Sequence, residues 1–385
     1  MKESFPDSAC GAIVLGGHVQ ALGIVRILGK RGIPVVVIDA TGRCIARRSK
    51  YCTAFYRVQN EGLEEFLKGQ RCISQYSGWV IFPTNDFHVR ILSVNREELS
   101  LHYIVSTDRK EVVDIFYNKI NTYRLASRIG IPIPATFYPA GKEELDDPEI
   151  PFPCIVKPAV MFDFYRKAGK KVFLCRDREE LKAAYAKALT FIPAEEIIIQ
   201  EVIPGDGRDQ FSACFLFSGG RSLVKLTACR MRQHPVDFGN ATTYAEVTGQ
   251  PEPAEYGERL LEAAGYNGLC EVEFKRDVRD GTFRLLEVNP RTWKWHLIAE
   301  KTETPFIPLW FDLLRGKEPE PVIGYQRASF CHAATDLPIR LVLLFRGAGY
   351  WSRKIRPVQN AVWSSDDPAP WFYEKLFLID YLKNR

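Results

Sequence analysis

The sequence predicts an open α/β domain at its amino end followed by an α+β body. An apolar run ending in a glycine pair, Ala12 to Gly17, precedes a helical stretch and a second apolar run closed by an acid, Pro34 to Asp39. From Phe152 onward, short strand-like runs alternate with helices and with turns at Gly219-Gly220 and Asp280-Gly281, the pattern of antiparallel hairpins. At 385 residues the chain is too long for one ordinary domain and long enough for two or three.

Leu22 to Arg31 has helical spacing at Leu22, Val25, Ile27 and Leu28, so residues 12–39 read as strand, glycine turn, helix and strand. Such a βαβ unit belongs to a parallel sheet, and Trp79 to Phe82 and Tyr103 to Ser106 extend it to about residue 110. Asn118 to Gly130 reads as a helix stopped by glycine and by the rigid Ile131 to Pro134 connector. Strands then follow at Cys154 to Lys157, Lys171 to Cys175 and Glu196 to Gln200, with a helix over Arg178 to Leu189. Phe211 to Phe217 pairs with Ser222 to Cys229, and after a helix near Glu255 to Ala264, Gly268 to Lys275 pairs with Thr282 to Val288. The tail from Arg327 is basic and aromatic, and its elements are poorly signalled.

Composition narrows the functional classes. With 46% hydrophobic and 26% charged residues the chain is not disordered. Lys and Arg exceed Asp and Glu by 52 − 47 = 5, no footprint for nucleic acid, although a local basic pocket for an anion remains open. The ten cysteines stand singly with no C-x-x-C pair. Residues 1–10 lack an apolar signal core and no run has transmembrane length, so a reduced, cytoplasmic protein is expected.

Gly16-Gly17 is the first candidate site, with Asp39 where a ribose-binding acid would stand. The segment does not match G-x-G-x-x-G, and a tight strand-to-helix turn without a dinucleotide is the favoured reading. A second signal is Glu271-Val-Glu-Phe274 followed, after a turn, by Leu285-Leu-Glu-Val-Asn-Pro-Arg291. Alternate strand residues share a face, so Glu271 points with Glu273 and Glu287 with Asn289. If these strands pair, three or four hard oxygen ligands meet, a donor set suited to Mg²⁺ and phosphate oxygens. A solvent-facing strand pair is the alternative.

The Val-Glu-Phe strand and the Glu-x-Asn-Pro-Arg strand resemble the metal-binding core of the ATP-grasp superfamily, and other positions follow in that family's order. Lys119 resembles the first nucleotide-binding lysine, Lys157 in Ile155-Val-Lys-Pro158 the second, and Gln200-Glu-Val-Ile-Pro-Gly205 the adenine linker. The resemblance implies a Rossmann-like pre-ATP-grasp domain over 1–112 and two α+β subdomains sandwiching ATP. These span 113–203, with a lid loop at about 158–171, and 204–320, with an extension over 321–385. Within the superfamily the motifs look most like carboxylate–amine ligases of the D-aspartate-ligase type, with carbamoyl-phosphate-synthase-like and biotin-carboxylase-like branches next.

The resemblance implies roles as well. Glu273, Glu287 and Asn289 hold one or two Mg²⁺ ions, with Mn²⁺ as the substitute ion, on ATP. Lys119 and Lys157 contact phosphates, while Gln200 and the backbone of Glu201 and Ile203 frame adenine. Asp209 is the ribose candidate, and Arg291 and Arg230 are catalytic candidates at the transferring phosphoryl group. The implied reaction activates a carboxylate as an acyl phosphate that an amine attacks, with a homodimer as the prior for assembly.

One departure concerns the phosphate-covering loop. The family's glycine-rich segment is replaced by Pro158 to Lys171 with a single glycine, Gly169, which suggests a basic lid using Arg166, Lys167, Lys170 or Lys171. A solvated charged turn fits the same residues. Arg230 and Arg232 share a face if their segment is a strand and could clamp a carboxylate or γ-phosphate. Trp293 and Trp295 could line an acceptor pocket or belong to the core. His88, His102 and His332 have no partner at ligand spacing and read as structural. A nucleotide-dependent oxidoreductase using the glycine turn, or a non-catalytic ATP sensor, are the readings of other classes.

Overall fold

The chain's computed structural model describes residues 10–237, 239, 241–347 and 357–383. Residues 1–9 of the expected first domain, Asn240 beside the arginine segment, and 348–356 and 384–385 of the expected extension lie outside the described residues.

The first five strands are β1 (Ala12–Leu15), β2 (Val35–Asp39), β3 (Cys52–Arg57), β4 (Val80–Pro83) and β5 (Ile104–Val105). They form a parallel sheet in the order β3-β2-β1-β4-β5. Period-two alternation divides each strand between two cores. Ile13, Leu15, Val36 and Ile38 pack with Leu63, Leu67 and Leu92 of the helices on one side. Ala12, Val14, Val35 and Val37 face the helix Val19–Gly29, which joins them to the core beneath the largest sheet. The strand order reverses between β1 and β4, so Gly16-Gly17-His18 and Thr84-Asn85-Asp86 meet at the carboxyl edge, where open α/β sheets bind ligands.

A four-stranded antiparallel sheet follows, built from β6 (Thr136–Phe137), β7 (Cys154–Pro158), β8 (Phe173–Cys175) and β9 (Ile197–Glu201) in the order β6-β9-β7-β8. The helix Arg178–Ala188 covers it, capped by Asp177, whose carboxylate accepts the Glu180 N–H at 2.8 Å. The segment expected as a lid loop is different from a loop over most of its length. Met161–Ala168 is a helix ended by Gly169 in the left-handed region. Its aromatic and basic residues offer neither the glycines nor the prolines that would hold an open loop.

The third sheet contains β10 (Gln210–Ser218), β11 (Arg221–His234), β12 (Ala241–Val247), β13 (Gly268–Arg276), β14 (Phe283–Asn289), β15 (Ser329–Cys331) and β16 (Val358–Asn360). Their order is β14-β13-β10-β11-β12-β15-β16. Gly219 and Gly220, both at positive φ, make the tight β10–β11 turn. The helix Glu252–Ala264 packs on one face through Leu260 and Leu261, and Phe306–Leu314 packs on the other through Phe306 and Phe311. The tail is thus part of the body. β15 and β16 extend the sheet, and the buried Arg26 Nε–Asp367 Oδ2 pair, 2.9 Å, ties the tail to the first domain.

Candidate active site

β13 and β14 pair antiparallel in the register that places Glu271 opposite Asn289 and Glu273 opposite Glu287. Spacing of two on each strand therefore brings all four side chains to one corner of one face. The Asn289 amide donates to Glu273 Oε1 at 3.0 Å and to Glu271 Oε2 at 3.3 Å. Burial, together with the Glu273 charge two residues along the same strand, pushes Glu271 up to about 7. The corner holds more negative charge than it can ionise freely without a cation.

Basic residues converge on this corner from three elements. Lys119 opens the helix Lys119–Arg128, and its Nζ lies 3.0 Å from Glu287 Oε1. Burial opposes the charge on Glu287, but Lys119, Lys171 and Lys157 outweigh it and hold the carboxyl down at about 2. Lys157, on β7, donates to Tyr123 Oη and to Gln200 Oε1, both at 2.7 Å, and meets no carboxylate. Burial and the Lys119 charge bring Lys157 down to about 7. Tyr123 in turn donates to the Leu286 carbonyl at 2.6 Å, so one hydroxyl connects the helix, β7 and β14. Sequence reasoning missed Tyr123, because an aromatic at a helical core position carries no sign of a polar task.

Between the four- and seven-stranded sheets lies a cavity of about 480 Å³. Lys119, Lys157 and Gln200 line it on one side, Glu201 and Ile203 at the linker, and Glu273 and Glu287 at the acidic corner. Of the basic residues between β7 and β8, Lys171 lines the cavity, whereas Arg166, Lys167 and Lys170 are exposed.

Four expected site residues lie outside this lining. Asn289 and Arg230 sit behind the carboxylates; Arg230 Nη1 bonds Glu273 and its Nε donates to Thr242 Oγ1 at 2.8 Å. Arg291 leaves the strand toward the first domain, with Nε 2.6 Å from Asp86 Oδ1 and Nη2 2.9 Å from Asn289 Oδ1. Asp209 is committed to its own turn: Oδ2 accepts the Asp206 N–H at 3.0 Å and Oδ1 pairs with Arg276 at 2.7 Å. Of the two aspartates it is Asp206 that lines the cavity, its carboxylate accepting the Arg208 N–H at 2.8 Å and pairing with the Arg208 guanidinium at 2.8 Å. Gln200 holds Lys157 and Thr136 with its two amide atoms, a positioning arrangement. Glu201 donates its N–H to the Ala135 carbonyl at 2.9 Å.

The paired-arginine clamp does not form in the expected way. A register shift on β11 separates the partners. Arg232 makes a fork to Asp336, Nε–Oδ1 2.7 Å and Nη2–Oδ2 3.0 Å, on the tail helix Ala333–Phe345. Trp293 and Trp295 are core residues, and the Trp295 indole donates to Glu271 Oε1 at 3.1 Å. His332 Nε2 lies 2.6 Å from Glu374 Oε1. Beyond Arg291, His18 from the glycine turn is held down at about 4 by burial and by the Arg291 and Lys294 charges. Burial brings Lys294 down to about 8.

A small antiparallel sheet facing a larger one across a basic cavity, with a parallel-sheet domain in front, is the arrangement of the ATP-grasp fold. The chain has the ATP-grasp fold, as its motif order predicts. No family model matches it. In sequence it is similar to the D-aspartate ligase of Enterococcus faecium, 22% identical over 249 residues, covering 58% of this chain and 56% of that protein. It is also similar to the N-terminal section of the carbamoyl phosphate synthase large chain of Methanopyrus kandleri, 25% identical over 184 residues, covering 45% of this chain and 31% of that protein. Each match thus spans less than two thirds of the relative. In structure it resembles the biotin carboxylase of Campylobacter jejuni, solved as a β,γ-ATP complex, with a TM-score of 0.67, 16% identity, and 83% and 74% of the two chains covered. No helix among the described residues is long and apolar enough to cross a membrane.

Proposed function

We propose that the protein is an ATP-dependent carboxylate–amine ligase that works at this cavity. The observation that carries the reading is the pairing of Glu273 with Glu287 across β13–β14 at a cavity lined by Lys119 and Lys157. Acids to hold a cation stand against lysines to hold phosphates.

The residues fit Mg²⁺. Among the described residues no cluster of three His, Cys, Asp or Glu stands ready for a metal, but Mg²⁺ commonly takes one or two carboxylates and completes its shell with phosphate and water. Glu273 and Glu287, with the Asn289 amide beside them, supply that hard-oxygen set. The bound ion, Mg²⁺ or Mn²⁺, neutralises charge on the phosphates. Lys119 and Lys157 bind phosphate oxygens, with Tyr123 and Gln200 fixing the Lys157 ammonium. Glu201 and Ile203 offer backbone groups to adenine, and Asp206 takes the ribose role expected of Asp209. Arg291 and Arg230 place positive charge behind the acidic corner, where the transferring phosphoryl group must pass.

In the first step a substrate carboxylate oxygen attacks the γ-phosphorus and ADP leaves. In the second an amine nitrogen attacks the acyl carbon, phosphate leaves and the amine gives up a proton. Protein groups contribute position and charge; no nucleophile is required of them. The acceptor site lies at the switch point of the parallel sheet, where His18 and Asp86 meet Arg291. Small-molecule amino and carboxylic acids, a cytoplasmic setting and a homodimer complete the reading.

Purified full-length protein given MgATP and a panel of carboxylates and amines should release ADP and phosphate and form a product joined by an amide, identified by mass. Absence of ADP release from demonstrably folded protein overturns the reading.

A further inference from the structure

We infer that Lys171 takes over the work of the glycine-rich phosphate loop, acting as the cation that recognises the terminal phosphate of the nucleotide; this rests on the ligase reading above. Between β7 and β8 only the first turn of Met161–Ala168, whose Met161 lines the cavity, leaves backbone amides unbonded within the helix. Beyond the first turn of Met161–Ala168 the N–H groups are bonded inside the helix, and Gly169 closes it by donating to the Tyr165 carbonyl at 3.0 Å. Two residues later Lys171 turns inward and lines the same cavity as Lys119, Lys157, Glu273 and Glu287. The charged groups that act on it are Glu287, Glu273, Lys119 and Arg230, those of the acidic corner.

The three lysines differ in what they already hold. Lys119 is paired with Glu287, and Lys157 is fixed by a hydroxyl and an amide. Lys171 makes no hydrogen bond among the described residues, so its three donors remain for a ligand. An ammonium held at the metal corner touches the γ-phosphate, and ADP has none there.

The test is a discrimination ratio. Full-length protein is titrated with Mg²⁺ and either ADP or the non-hydrolysable ATP analogue with an NH bridge between the β- and γ-phosphorus. Lys171→Met should weaken the triphosphate analogue about 10- to 100-fold, the range of a charge-assisted hydrogen bond, and leave ADP within about twofold. Lys171→Arg should recover part of the loss, and Lys170→Met, at an exposed position, should change neither. Equal weakening of both nucleotides, or no weakening of either, overturns the role of Lys171 and leaves the ligase reading standing. Wild-type protein that binds neither nucleotide overturns both.

Discussion

Glu287 Oε1 and Lys119 Nζ stand 3.0 Å apart although they are 168 positions apart in sequence, and this pair joins the helix Lys119–Arg128 to the acidic corner of the cavity. The carboxylate holds the lysine in place and faces Glu273 across the strand pair. Replacing it with an isosteric amide keeps the shape and removes the charge that both a metal ion and Lys119 require. Glu287→Gln should therefore lower MgATP-dependent ADP release by about 100-fold or more, the scale of losing one preorganised charge at a reacting group. Chelating Mg²⁺ with EDTA should weaken ATP binding by wild type but change the variant little. Equal metal dependence in both would remove Glu287 from the ion.

Lys157 gives a pH dependence with a definite sign. Burial and Lys119 bring it down to about 7, so above that pH the ligand-free protein holds it neutral. A triphosphate prefers the ammonium form, and nucleotide binding must then take up a proton. Affinity should fall by up to about tenfold per pH unit above pH 7, until the bound-state value is reached. The unfolded chain keeps this proton up to the ordinary lysine range near ~10.4, so the same group makes ligand-free stability rise with pH across that window. Calorimetric titration at pH 8 in buffers of different ionisation enthalpy measures the uptake directly. Lys157→Met should abolish it; uptake undiminished in the variant assigns the proton elsewhere.

The tail is held by charge in a place where charge is costly to leave alone. Arg26 and Asp367 are each 1% exposed, and Asp367 also accepts from the Ser49 hydroxyl at 2.7 Å and the Lys50 N–H at 2.9 Å. Asp367→Ala strands the guanidinium and should cost about 3–5 kcal/mol, read as a lower urea midpoint. The double variant Arg26→Met, Asp367→Leu should recover part of that loss, since no buried charge is left uncompensated. A single variant as stable as wild type would show that the tail does not depend on the pair.

Much of this was legible because the chemistry repeats at short range. Spacing of two fixes the face of Glu271 and Glu273 whatever their surroundings, but which residues they meet depends on a bulge between Glu273 and Phe274 as well as on the hairpin turn at Gly281. The parallel sheet followed from uninterrupted apolar runs bounded by glycine and acid. What escaped was set by distant partners. Arg230 and Arg232 look equivalent in sequence, but one meets Glu273 and the other Asp336, on an element about a hundred residues away. Asp206 and Asp209 share one capping box, and the pairing of Asp209 with the distant Arg276 accompanies the placement of Asp206 on the cavity wall. β15 and β16 are three residues each, too short for any periodicity to announce.

Arg291 separates two ways of acting on the same reaction. It spans Asp86 of the first domain at 2.6 Å and the Asn289 side-chain oxygen at 2.9 Å, so it could stabilise the transferring group or simply orient Asn289. Arg291→Lys keeps the charge and loses the fork that makes both contacts at once. If the guanidinium acts on the transferring group, turnover should fall by about 10²-fold while MgADP affinity stays within about twofold, because the missing interaction strengthens only as the phosphoryl group moves. If it acts by holding Asn289, MgADP affinity should fall with turnover, and Asp86→Asn should reproduce the effect by loosening the same arginine. We expect the first pattern: Asn289 retains its bonds to Glu271 and Glu273 without Arg291, so its placement does not depend on the arginine. ADP release at saturating MgATP, set beside a nucleotide titration of the same preparations, decides between the two.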